Sequence, residues 1–90
     1  MTGAFHISSL LVSARPSALD GVEKQIAGIA IAEVAHVDPQ GKVIVTLETE
    51  DESAIVQALT DIQLIDGVVS AALVFHQVEE DEDLSALQAT

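Results

Sequence analysis

What most constrains this chain is the order in which its hydrophobic periodicity changes. A run rich in Ile, Leu and Val covers about His6 to Ser13 and is too short for an ordinary helix. Arg15-Pro16-Ser17 interrupts it and opens a helical pattern. Leu19, Val22, Ile26 and Ile29 then recur at intervals of 3, 4 and 3, one face of a helix, and Gly28 is placed to stop it. A second β-rich run covers about Ile31 to Val37. Asp38-Pro39-Gln40-Gly41 is a strong turn: Asp suits its first position, Pro presets φ at the second, and Gly accepts positive φ. Lying between two β-rich runs, it reads as a hairpin. Lys42 to Thr49 alternates, with Val43, Val45 and Leu47 on one side and Lys42, Ile44, Thr46 and Glu48 on the other. Asp51 can cap a second helix, with Glu52 near its positive end. Ile55, Leu59 and Ile62, with Ala58 beside them, form its buried stripe. Asp66-Gly67 closes the connection, and a last strand covers about Val68 to Gln77.

The order β-α-β-β-α-β is the signature of the ferredoxin-like split βαβ fold, an α+β class. It predicts one four-stranded antiparallel sheet with both helices on one face and the other face bare. Right-handed connections are expected to put the first and third strands side by side in the centre, running parallel. With 90 residues there is room for a single core. Residues 1–78 read as the domain and 79–90 as an acidic, flexible C-terminal tail.

The bare face is the most informative inference. The third strand contributes Ile44, Thr46 and Glu48 to it. In the last strand, Val69, Ala71, Leu73 and Phe75 are the apolar set expected under the helices, leaving Ser70, Ala72, Val74 and His76 outward. In the first strand both alternating sets are mixed. Ser8, Leu10 and Val12, in phase with His6, are taken as outward, because this puts His6 and His76 at related strand ends. The resulting face carries Leu10, Val12, Ile44 and Val74 among small polar residues. An exposed apolar patch of this kind marks a partner or a second copy, and the residues alone leave both open.

Composition narrows the partner. Lys and Arg number 3 against 15 Asp and Glu, a net charge of −12. Phosphate binding needs a basic face, so nucleic acid is excluded as a partner. Phe5 and Phe75 are the only aromatics, too few to stack a single strand. There is no cysteine, hence no thiol nucleophile or zinc–thiolate site. Met1 to His6 shows no basic n-region, and the longest apolar stretch, Ile26 to Ala32, is too short to span a bilayer. A cytoplasmic protein without membrane insertion is the expectation. No Gly-rich phosphate motif is present, and the carboxylates read as solvated surface charge, so neither catalysis nor a cofactor is expected. His6 and His76, on antiparallel neighbours, can approach, and with Glu79 they are a conceivable metal set. No ligand spacing supports that, and an ordinary cross-strand polar pair is the expectation. Glu79, Glu80, Asp81, Glu82 and Asp83 form an acidic run that either solvates a tail or steers a basic partner at low salt.

Ser9-Leu10-Leu11-Val12, Glu33-Val34-Ala35, Lys42-Val43-Ile44-Val45 and Glu48-Thr49-Glu50-Asp51 resemble the NapD family. So, above all, does the final segment Gly67-Val68-Val69-Ser70-Ala71-Ala72-Leu73-Val74-Phe75-His76-Gln77-Val78-Glu79-Glu80. The resemblance covers roughly residues 6–80; the family usually has Tyr where this chain has Phe75, and the tail beyond Asp83 has no clear counterpart. It implies a small cytoplasmic chaperone, not an enzyme, that binds the twin-arginine signal peptide of the catalytic subunit of the periplasmic nitrate reductase. Binding would hold the precursor back from export until its molybdenum cofactor is installed. On that reading Leu10, Val12, Ile44, Ala72 and Val74 form a dry floor, with Ser8, Thr46, Ser70 and His76 beside it. Glu48 and the run Glu79 to Asp83 attract the arginines. A weak homodimer stays open. The alternative from another class is a dimeric ACT-like or Lrp-like small-ligand sensing domain, which shares this topology.

Overall fold

The structure, a computed structural model, describes residues 4–80, with side chains described for residues 5–78. Strands β1 (Ala4–Ala14), β2 (Ala32–Asp38), β3 (Lys42–Thr49) and β4 (Val68–Glu80) form one sheet in the order β2-β3-β1-β4. Helices α1 (Leu19–Ala27) and α2 (Glu52–Gln63) cover one side of it. The ferredoxin-like order is as expected, with β1 and β3 central. Their relative direction is not: β1 and β3 pair antiparallel. The βαβ crossover sets β1 and β2 parallel, and the hairpin then reverses β3 against both.

Local chemistry fixes the ends. Pro16 opens a 3-10 turn, Pro16–Ala18, that leads into α1. Leu19, Val22 and Ile26 of α1 are buried, and Ile29 packs against the same core. In the hairpin, Asp38 Oδ1 accepts the Gln40 amide at 3.0 Å and the Gly41 amide donates to the Asp38 carbonyl at 2.8 Å. Gly41 adopts φ 110°, and a Cβ there would strike the Ala14 carbonyl, which makes glycine obligatory. Gly67 adopts φ 100°, and a Cβ there would stand 2.5 Å from the Ala18 Cβ. The Asp51 carboxylate caps α2, accepting the Ser53 amide at 3.0 Å and its hydroxyl at 2.7 Å. Ile55, Ala58 and Ile62 of α2 are buried, with Leu59 packed beside them.

Strand phase is where the structure departs from simple alternation. In β1, Ser8, Leu10 and Val12 are fully buried under the helices with Val43, Val45 and Leu47 of β3. They are not outward as expected; Ile7, Ser9, Leu11 and Ser13 are. Both sets of β1 are mixed in polarity, and what decides between them is the cross-strand partner: Val12 stands opposite Val43 and Leu10 opposite Val45, whose side is unambiguous.

Strand β4 follows the expected phase over Ser70 to Leu73 and then reverses. Ser9 faces Phe75 while Leu10 faces Leu73, so Val74 is the extra residue of a bulge. A second irregularity leaves Val69 between the partners of Ser13 and Ala14, 70% exposed. The bulge at Val74 turns Phe75 to the bare face with Ser9, and His76 to the helix side, where its Nδ1 lies 2.7 Å from the Ser8 hydroxyl. The expectation of Phe75 inward and His76 outward is therefore reversed. Paired with Ala4 to His6, β4 also runs three residues beyond Gln77.

Candidate functional site: the uncovered sheet face

Directly opposed residues of antiparallel strands share a face, so the pairings lay the uncovered face out in rows. One row is Glu48, Ile7, Gln77 across β3, β1 and β4. The next is Glu33, Thr46, Ser9, Phe75, starting at β2. A third is His36, Ile44, Leu11, Ala72, and the last is Asp38, Lys42, Ser13, Ser70. The centre is apolar and half-buried at Ile7, Leu11 and Ile44. Val74 and Phe75 expose 59% and 51% of their surface at its β4 side. No described helix covers this face.

Of the residues expected on it, Ile44, Thr46, Glu48, Ser70 and Ala72 lie there, and Val74 is exposed at the bulge beside them. Ser8, Leu10, Val12 and His76 belong to the opposite side. Alternation did not reveal Ile7, Ser9, Leu11 and Phe75, which replace them. Glu79 and Glu80 end β4 opposite Phe5 and Ala4, while Asp81, Glu82 and Asp83 lie outside the described residues.

The charge is uneven. Glu33 and Glu48 are exposed on the uncovered face and line one open cleft of about 340 Å³ together with Ala30, Ile31, Ala32 and Thr46. The Thr46 hydroxyl donates to the Glu33 carbonyl at 3.4 Å, tying the cleft's two walls together. At the opposite end Lys42 donates to the Ser13 hydroxyl at 3.2 Å and stands opposite Asp38, so that end is near neutral.

On the helix side the imidazoles of His6 and His76 stack with centroids 5.6 Å apart and planes at 29°. His6 Nδ1 is buried without a hydrogen-bond partner among the described residues. Glu79 stands opposite Phe5, one residue out of phase with His6, and no group of three or more potential ligands gathers among the described residues. The Asp51 carboxyl is held below its ordinary value of 3.8, mainly by the Ser53 hydroxyl, then by the Ser53 amide, with the nearby His6 acting in the same direction. Among the described residues, no helix is long and apolar enough to cross a membrane.

Residues 5–80 match the family described as NapD protein. Chaperone NapD of Escherichia coli strain K12 is 32% identical over 77 residues, spanning 84% of this chain and 88% of that relative. Chaperone NapD of Paracoccus pantotrophus is 34% identical over 82 residues, 91% of this chain and 72% of the relative. The solution structure of the E. coli Tat proofreading chaperone NapD superposes with a TM-score of 0.75 at 32% identity, covering 86% of this chain and 82% of that one. These chaperone relatives do not favour the sensing-domain alternative.

Proposed function

This chain belongs to the NapD family, and from that premise we propose that it is a chaperone binding the twin-arginine signal peptide of the periplasmic nitrate reductase catalytic subunit. It acts in the cytoplasm, holding the precursor back from export until the molybdenum cofactor is inserted. Its role is binding, and the chemistry belongs to its client.

The observation that carries this reading is the uncovered face itself. Ile7, Leu11, Ile44 and Phe75 form an apolar floor bordered by Glu33 and Glu48, in a chain of net charge −12. A signal peptide offers the complement, a basic segment followed by an apolar one of 7 to 15 residues. Its apolar face is desolvated against the floor, which sets how long the complex lasts. Its arginines meet carboxylates, which accelerate encounter and fix register. While so covered, the peptide is unavailable to the export machinery. The acidic run Glu79 to Asp83 steers the approach.

The test is calorimetric titration with the signal peptide of the cognate nitrate reductase, beside a copy with both arginines replaced by glutamine. Binding that weakens in the altered copy supports the reading. No binding of either peptide to the folded domain refutes it.

A further inference from the structure

We infer that the uncovered face is directional: the peptide's basic end docks at the corner formed by Glu33 and Glu48, and its apolar segment crosses the strands toward Ala72, Val74 and Phe75. The inference rests on the peptide-binding reading above and adds the orientation of the bound peptide and the residues that determine it.

The asymmetry is written in the rows. Glu33 of β2 and Glu48 of β3 occupy adjacent rows on the same side of the sheet and open onto one cleft of about 340 Å³. The cleft gives a guanidinium two carboxylates on adjacent strands, with Thr46 lining it beside them. Three rows away from Glu48, Lys42 projects onto the same face, held to the Ser13 hydroxyl, and with Asp38 opposite it that end offers a basic segment no net attraction. One end of the face therefore attracts cations and the other does not. The exposed apolar groups are also off-centre. Val74 and Phe75, both more than half exposed, stand on β4, the far edge from Glu33.

Length agrees with a crossing path. From β2 to β4 is three strand spacings, about 14 Å. A helix rises about 1.5 Å per residue, so about ten residues cover that distance. That is within the apolar segment of a signal peptide. Glu79 and Glu80, which end β4, are the competing position for the basic end. They stand on the edge strand two rows beyond that of Phe75, farther from Leu11 and Ile44 than the Glu33–Glu48 corner is.

The test uses the full chain, isotope-labelled, with the cognate peptide carrying a nitroxide either ahead of its arginines or at the far end of its apolar segment. The expected result is that the first label broadens the amides of Glu33, Thr46 and Glu48, and the second those of Ala72 to Phe75. In parallel, the double variant Glu33→Gln with Glu48→Gln should bind the native peptide about two- to thirtyfold more weakly, as expected for two exposed charge pairs. It should bind the arginine-to-glutamine peptide as the parent does. Broadening in the reverse order, or of Gln77 to Glu80 by the first label, overturns the orientation while leaving peptide binding standing. Equal loss for both peptides overturns the role of the two carboxylates. If no peptide binds, the underlying reading fails and the orientation with it.

Discussion

At the scale of single residues, two neighbours in β1 carry opposite duties. Leu10 is fully buried, so Leu10→Ala should cost about 2–5 kcal/mol through lost burial and the cavity left behind. Leu11 faces the other way onto the floor, and Leu11→Asp should leave the fold intact while lowering peptide affinity at least tenfold. Chemical denaturation and calorimetry separate the two effects. Gly67→Ala should destabilise by more than about 1 kcal/mol, because φ is positive there and the added Cβ meets Ala18. Asp51 supplies a pH dependence. Its carboxyl is depressed in the folded state, so it stabilises the fold above the unfolded value of 3.8 and loses that contribution as pH falls from there through its lower folded value. The difference in Tm between the parent and Asp51→Ala should therefore be present at neutral pH and shrink below about pH 4. Turn and cap residues of this kind were legible in the sequence, because Asp38, Gly41 and Asp51 act on backbone within a few residues of themselves. The side taken by Leu10 was not, because it is settled by Val45 on another strand.

At the scale of elements, both helices and β3 follow their periodicity, since each has one continuous apolar stripe and its neighbours agree with it. Strand β4 does not, because a bulge inserts a residue without changing composition, and every residue beyond it changes sides. That single event takes Phe75 onto the binding face and puts His76 against Ser8. The element-scale prediction follows from this reversal. Phe75→Asp should abolish most peptide affinity with little change in Tm. If it unfolds the domain, the phase of β4 beyond the bulge is wrong. Ser8→Ala removes the hydroxyl partner of the exposed His76 and should lower stability by about 0.5–1.5 kcal/mol without altering peptide contacts.

For the whole molecule, the net charge of −12 means that a basic peptide is drawn in from a distance set by ionic strength, about 8–10 Å of screening near physiological salt. Association should slow as salt rises, while dissociation changes little. Truncation after Glu80 removes the rest of the acidic run and should reduce the slope of association rate against salt, with the domain's Tm unchanged. An unchanged slope would leave the tail no part in steering. The fold class was legible because six segments with distinct periods, in a fixed order, fit few arrangements. The site was legible as a bare face but only partly in its membership, since that depends on register between distant strands. The account's central claim is that this face receives the signal peptide. Its most direct test is to titrate the isotope-labelled chain with the cognate signal peptide and follow its amide resonances. The account predicts that the largest shifts fall on Ile7, Leu11, Ile44, Thr46, Glu48 and Phe75. Shifts concentrated instead on the outer surfaces of α1 and α2, with the uncovered face unmoved, would contradict it.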